Sequence, residues 1–187
     1  MDTPAVAPFR MASQFFVDAV TAVPRERYGE QWSDEWRVLD LIGHGNRAHV
    51  LTVEYYERPV PVAGPEYVLP ENIAERGRQA VLDLGDNPVG AVRAASERAL
   101  IVVASAPDDA TVGTPFGEQT LDAYLQSRTA ELVLHGLDLD SGVELSAEVL
   151  AECAVFLVKR ATRAGRGSEV VRALSGRGLL PTGFSVY

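Results

Sequence analysis

The stretch Arg128-Thr-Ala-Glu131-Leu-Val-Leu-His135-Gly-Leu-Asp138 contains a carboxylate and an imidazole four residues apart. On an α-helix such residues share one face, with Cβ atoms about 5–6 Å apart. Glu131 and His135 could therefore bind the same divalent cation. The three apolar residues between them predict that this helix packs in a core rather than lying free in solvent.

A third ligand is expected from His44, which lies far upstream on another predicted helix. The chain has only three histidines, and the remaining one, His49, is about 140° around the helix from His44. We therefore assign His49 to the surface or to packing. Two histidines and one glutamate that leave a coordination position open are typical of a catalytic rather than a structural metal site.

Ordinary structural roles would also account for these residues. A Glu-x-x-x-His pair on a helix is usually solvated, and a histidine in an apolar helix is often a core residue with one hydrogen bond. Gly43 and Gly45 flank His44. They favour either close helix packing or open space beside a metal, and the sequence does not decide between these.

Apolar residues recur at steps of three and four, which is typical of helices that bury one face. The pattern predicts helices over about 8–23, 33–57, 71–84, 88–99, 120–139, 146–164 and 170–174. Four longer helices joined by loops favour an all-α bundle, in which metal sites are built from side chains of facing helices. At 187 residues the chain fits a single domain over 1–187.

The sequence also predicts several local features. Ser33 or Asp34 is expected to cap the second long helix, and Trp36 either anchors its start or lines a pocket. The run 100–104 is consistent with a short strand or a helix end, and 106–118 is predicted to be a loop. The helix over 146–164 is expected to turn one set of residues inward: Leu150, Cys153, Ala154, Leu157 and Val158.

Three motifs carry a resemblance to a known family. The stretch from Arg128 to Asp138 resembles the R-x-x-E-L-x-x-H-x-x-D signature of the N-terminal domain of mycothiol-dependent maleylpyruvate isomerases, within the DinB-like group of four-helix metalloenzymes. Trp36-Arg-Val-Leu-Asp40-Leu-Ile-Gly-His44 is similar to the W-x-V-x-D-L-x-x-H segment of that family. Ala173-Leu-Ser-Gly-Arg177 is similar, more weakly, to its closing L-x-G-R motif. The glycines beside His44 depart from the family, which has larger residues there.

The resemblance implies a DinB-like four-helix bundle with an extra short helix and loop and tail segments. It also implies a divalent metal site, of zinc type, formed by His44, Glu131 and His135, with mycothiol as a thiol cosubstrate. Asp138 would orient an imidazole and Arg128 would steady Glu131, although ordinary helix charge pairing would also explain both.

Composition limits the classes of function. The net charge of −9 argues against binding to nucleic acid or to an anionic membrane surface, since both require clustered basic residues. We find no secretory signal near the N-terminus and no apolar stretch of about 20 residues that would cross a bilayer. Cys153 is the only cysteine, which excludes an internal disulfide and suits a reducing cytoplasm. It is most simply a small buried apolar residue.

Together these features predict a cytoplasmic, metal-dependent enzyme in which a thiolate attacks an electrophilic small molecule. Isomerisation is less expected than S-transfer, because the chain ends at Tyr187 without room for the second domain that contributes to the isomerase site. Two alternatives stay open: a metal-dependent hydrolase, and a non-catalytic bundle that binds a metal or another ligand. The apolar tail over 179–187 packs either on its own chain or on a second subunit, so a homodimer is also considered.

Overall fold

The computed structural model describes residues 4–34 and 36–186. Met1–Thr3, Glu35 and Tyr187, the last residue of the apolar tail, lie outside the described residues. The described chain is mostly helical, as predicted. It forms α1 (Val6–Ala22), α2 (Val38–Glu57), α3 (Pro70–Leu84), α4 (Pro88–Ser105), β1 (Thr111–Thr114), β2 (Gly117–Thr120), α5 (Leu121–Asp138), α6 (Ala147–Arg163) and α7 (Gly167–Leu174), with short 3-10 turns at Arg25–Gly29 and Pro65–Val68.

Four helices form the centre of the fold. Both α1 and α2 pack against α4 and against α5, while α3 covers α2 and α4, α6 covers α5 and α1, and α7 packs on α6. The helices share one apolar core because each turns a stripe of large side chains inward. Its largest fully buried apolar members include Phe9, Phe16, Leu41, Ile42, Leu125, Leu132 and Leu139.

The second helix begins later than the sequence indicated. The backbone N–H groups of Trp32 and Ser33 both donate to the carbonyl of Trp36, which closes a turn before the helix. Helix α2 then starts at Val38, and the N–H of Arg37 donates to the Asp40 carboxylate at 2.8 Å. The expectation that Ser33 or Asp34 caps this helix is therefore wrong, because Asp40 accepts the N-terminal hydrogen bond from within the first turn.

The predicted loop over 106–118 contains part of a small β-hairpin. Strand β1 pairs antiparallel with β2, so that Thr111 lies opposite Thr120. At the turn, the Thr114 hydroxyl donates to the carbonyl of Gly117 at 2.9 Å, and Gly117 has φ of +108°, which favours glycine. The run 100–104 completes α4, and its strand alternative is wrong.

The outer helix α6 buries fewer residues than the sequence predicted. Val149, Cys153 and Ala161 are its buried residues. Leu150 and Ala154 are exposed, which corrects their predicted inward placement. The reason is that α6 lies at the edge of the fold and packs mainly on α5, so only one line of its residues meets the core. Helix α7 begins at Gly167 rather than at 170.

Two glycines let α2 approach its neighbours closely. A Cβ added at Gly43 would lie 3.0 Å from the backbone of Ala80 in α3. A Cβ added at Gly45 would lie 2.6 Å from the ring of Phe16 in α1 and 3.1 Å from the Cβ of His135 in α5. Of the two alternatives for these glycines, the structure supports close packing.

No helix within 4–34 and 36–186 combines the length and the apolar character that crossing a membrane requires.

Candidate metal centre

Helices α2 and α5 run antiparallel, and this arrangement assembles the site. Near one end of the pair, the rings of His44 and His135 have centroids 4.9 Å apart. Near the other end, the rings of Tyr55 and Tyr124 have centroids 6.0 Å apart. Residues near the start of α2 therefore face residues near the end of α5, as the site requires.

His44, Glu131 and His135 form a compact group of three candidate ligands. Each offers one ligand atom, and these atoms all lie within 4.8 Å of one another. The His135 Nε2 atom lies 3.3 Å from the Glu131 Oε2 atom. Neighbouring ligand atoms in a tetrahedral zinc site with bonds of about 2.0–2.1 Å are about 3.3 Å apart. The group therefore has a spacing that could hold a metal ion.

Two imidazole nitrogens of this group have no hydrogen-bond partner among the described residues. They are the Nδ1 atoms of His44 and His135, and both are shielded from solvent. The His135 Nδ1 atom nevertheless has the Asp138 carboxylate 3.4 Å away, whereas the His44 Nδ1 atom has no such neighbour among the described residues. A buried polar atom without a partner destabilises a protein by about 1–3 kcal/mol, unless something else satisfies it. The side chains of His135 and Glu131 are 17% and 18% exposed, so the group is reachable from the surface.

The charges in the group favour a neutral His44 and an ionised Glu131. Burial, reinforced by His135, lowers the pKa of His44 to about 3. Burial alone would raise the pKa of Glu131, but the hydrogen bond from His135 and the charge of Arg128 outweigh it and lower the pKa to about 2. A neutral imidazole and a carboxylate are the forms that bind metals.

His135 compensates the Glu131 charge when no cation does so. Burial alone would lower the pKa of His135, but its contacts with Asp138 and Glu131 outweigh burial and raise the pKa to about 9. At neutral pH the imidazole is then protonated, and a bound cation would release that proton.

Asp138 and Arg128 flank the candidate ligands on α5. Asp138 Oδ2 is 3.4 Å from His135 Nδ1, and an Arg128 amino group is 3.8 Å from Glu131 Oε1. The Arg128 Nε–H also donates to the Ser127 hydroxyl at 3.2 Å, and its guanidinium lies over the Tyr124 ring at 5.0 Å. Arg128 is thus held more firmly beside Tyr124 than beside Glu131.

Trp36 borders the group directly. Its ring centroid lies 4.5 Å from that of His44 in an edge-on arrangement. On its other side the indole lies against Gly77 of α3, where a Cβ would be 3.3 Å from it. Trp36 therefore both anchors the start of α2 and lines the site.

His49 and Cys153 lie apart from the group. His49 is fully buried, with Nε2 2.9 Å from the Ser13 hydroxyl and Nδ1 3.1 Å from the Asn46 side-chain oxygen. Of the two assignments for His49, packing is confirmed. Cys153 is buried as expected, and burial raises the pKa of its thiol to about 11.

Sequence reasoning missed two residues beside the group, Arg47 and Tyr124. Each lies on the same helix face as a predicted ligand, since Arg47 is three residues after His44 and Tyr124 is seven, or about two helical turns, before Glu131. Extending the i, i+3, i+4 pattern outward from the ligands would have found both.

Comparison of the chain with protein-family models, with curated proteins and with solved structures finds no match.

Proposed function

We propose that this protein is a metal-dependent enzyme that acts with a low-molecular-weight thiol. The observation that supports the proposal most directly is the meeting of His44, Glu131 and His135, with their ligand atoms within 4.8 Å. The buried Nδ1 atom of His44 has no hydrogen-bond partner among the described residues. A bound cation would satisfy this buried nitrogen. An ordinary ion pair on the surface of a helix would not leave a buried nitrogen without a partner.

The fold part of the proposal is a DinB-like four-helix bundle. Support comes from α1, α2, α4 and α5, which share one core. It also comes from the position of the candidate ligands on α2 and α5, which face each other. Metal sites of helical bundles are generally built in this way, from inward side chains of facing helices.

Nitrogen and carboxylate ligands suit Zn²⁺, and a divalent cation lowers the pKa of a thiol or water that it binds. The residues of the chain would hold this cation and control its surroundings. His44, Glu131 and His135 would supply three ligands, and the thiol would take a remaining position. The Asp138 carboxylate, 3.4 Å from His135 Nδ1, would orient that ring. The indole of Trp36 limits the access of water beside His44.

The identity of the thiol comes from the family resemblance, which implies mycothiol. In the proposed reaction the sulfur forms a bond to an electrophilic carbon of a small substrate, while the bond from that carbon to its leaving group breaks. The leaving group departs with the bonding electron pair, and the thiol proton passes to solvent. A cytoplasmic location would fit a protein that depends on a reduced thiol.

Metal retention tests the first part of the proposal. The protein is purified after zinc supplementation, and its metal content is measured for wild type, Glu131→Gln and His135→Ala. Glu152→Gln, an exposed change on α6, is the matched control. We expect about one zinc per chain in wild type and in the control, and a large loss in both site variants. Wild-type protein that retains no zinc would contradict the proposal.

The cobalt-substituted protein tests the thiol. Its absorption spectrum is titrated with mycothiol, with other small thiols and with matched alcohols. A sulfur-to-metal charge-transfer band that saturates with thiol supports the proposal. A cobalt spectrum that no thiol changes would instead favour a metal-dependent hydrolase or a non-catalytic bundle.

A further inference from the structure

The facing sides of α2 and α5 continue beyond the three candidate ligands. Between the His44–His135 pair and the Tyr55–Tyr124 pair, α2 carries Arg47 and α5 carries Arg128. Both arginines are half-buried. Two cations therefore lie along one side of the proposed metal centre.

Arg47 has no partner of opposite charge in the part of the chain that the structure describes. Among residues 4–34 and 36–186 it makes no hydrogen bond and no ion pair, although the chain has 26 acidic residues against 17 lysines and arginines. A half-buried guanidinium carries five donors in a planar fork that matches an oxyanion. No acidic side chain among the described residues accepts these donors, although the protein is acidic. This arrangement favours binding of an exogenous anion by Arg47.

Tyr124 adds an independent observation. Its side chain is buried, with the residue only 3% exposed, and its hydroxyl has no hydrogen-bond partner among the described residues. Burial raises the pKa of Tyr124 to about 12, and the nearby charges of Arg128 and Arg47 oppose this rise. The phenol is therefore a neutral hydrogen-bond donor within the field of both guanidinium groups.

Arg128 connects this region to the metal centre. Its guanidinium covers the Tyr124 ring, and its contact with Glu131 is a long 3.8 Å. A cation bound to Glu131 would offset the carboxylate charge and weaken that contact further. Arg128 would then be free to turn toward an anion and to open the way to the Tyr124 hydroxyl.

We propose that Arg47 and Tyr124 form a binding site for an oxyanion group, a carboxylate or a phosphate, of the substrate that reacts at the adjacent centre. That the bound anion is a substrate rests on the proposed function. The anion site itself is defined by Arg47 and Tyr124, with Arg128 beside them. The substrate of the enzyme is accordingly an anionic electrophile, anchored by its charge while its reactive carbon faces the thiol.

Binding of simple anions tests the site. Inorganic phosphate and succinate are titrated by calorimetry into zinc-loaded protein and into protein stripped of metal, so that the two sources of oxyanion are compared. The variants are Arg47→Gln, Arg47→Lys and Tyr124→Phe, each checked for fold by circular dichroism and for zinc content. Arg93→Gln is the matched control, because Arg93 is an exposed arginine on α4.

We expect at least one anion to bind wild type and Arg93→Gln equally. Loss of a charge-assisted contact in Arg47→Gln should weaken binding about tenfold or more, with Arg47→Lys intermediate. Loss of one neutral donor in Tyr124→Phe should weaken it about 2- to 10-fold. Zinc content should be unchanged in all four variants.

The inference is overturned if neither anion binds wild type, or if Arg47→Gln binds as tightly as Arg93→Gln. Binding that requires zinc but ignores Arg47 would place the anion on the metal and also overturn it. Anion binding that depends on Arg47 in a protein that never retains zinc would support this site while contradicting the proposed function. The two proposals can therefore fail separately.

Discussion

The indole of Trp36 and the imidazole of His44 lie edge to face with ring centroids 4.5 Å apart. Trp36 is thus an internal probe of the candidate metal centre. A paramagnetic ion such as Co²⁺ or Cu²⁺ at His44 would quench an indole fluorophore at this distance. We expect saturable quenching of about half or more of the Trp36 emission, measured by titrating Co²⁺ into metal-free protein.

Trp36→Phe is the control for that measurement, since only Trp32 then emits. Trp32 is 43% exposed, and its ring centroid lies 6.4 Å from that of Trp36. The quenching should shrink in this variant and should vanish in His135→Ala. Equal quenching in His135→Ala would mean that Co²⁺ binds elsewhere.

Replacement of Gly45 by alanine tests the close packing of α2. A Cβ there would lie 2.6 Å from the fully buried ring of Phe16. Overpacking a core destabilises by about 1–3 kcal/mol, whereas alanine stabilises a helix interior by about 1 kcal/mol relative to glycine. We expect Gly45→Ala to lower the free energy of unfolding by about 1 kcal/mol, measured by urea denaturation.

Gly29→Ala is the matched control, because a Cβ at Gly29 would meet nothing within 4 Å. Its free energy of unfolding should change by less than about 0.5 kcal/mol. If Gly45→Ala were as stable as this control, the Phe16 ring would have room to move and the packing argument would fail.

The buried His49 predicts a loss of stability in acid. Burial lowers its pKa in the fold from 6.5 to about 3, so the unfolded chain binds more protons between these values. The free energy of unfolding should therefore fall as pH decreases from 6.5 toward 3, at up to about 1.4 kcal/mol per pH unit for this one group. Urea denaturation of metal-free protein at several pH values measures the slope.

His49→Gln removes the titrating group while keeping side-chain donors and acceptors for Ser13 and Asn46. Its stability should depend less on pH across this window than that of wild type. Some dependence should stay, because the pKa of His44 is also lowered to about 3. An unchanged slope would show that His49 does not titrate as its burial implies.

Asp138 should strengthen metal binding without being a ligand. Its carboxylate lies 3.4 Å from the His135 Nδ1 atom, and groups that orient a metal-binding imidazole typically contribute 10- to 100-fold in affinity (about 1.4–2.8 kcal/mol). Asp138→Asn should weaken zinc binding by about this factor in competition with a chromophoric chelator. Asp18→Asn, an exposed change on α1, should bind zinc as wild type does. Equal affinity in both variants would assign Asp138 to ordinary helix charge pairing.

The sequence predicted the long helices well, because the apolar period is a property of each helix alone. The meeting of His44 with Glu131 and His135 depends on which helices pack together, and it was expected from the family resemblance. The apolar period places Glu131 and His135 on one face of α5 without any tertiary information. The hairpin was missed because its four-residue strands are too short for a clear alternation, and its pairing is set by contacts with the rest of the fold. The start of α2 was missed because Asp40 replaces an outside cap.

The features that could not be predicted from the sequence are those that depend on which helices pack against each other. Gly43 and Gly45 were consistent with packing or with open space, and only the positions of Ala80 and Phe16 decide. The inward set of α6 was partly wrong because the edge position of that helix does not appear in its own pattern. Arg47 likewise becomes informative only once the fold shows that no carboxylate among the described residues pairs with it.

The antiparallel pairing of α2 with α5 also determines when the metal centre can exist. His44 leaves the ribosome long before Glu131 and His135, and the three cannot meet until α5 has emerged and docked. Any cation would therefore be captured after translation of this region, by a chain that is already largely folded. Removal of the metal should then leave the helices in place, and reloading should proceed without renaturation.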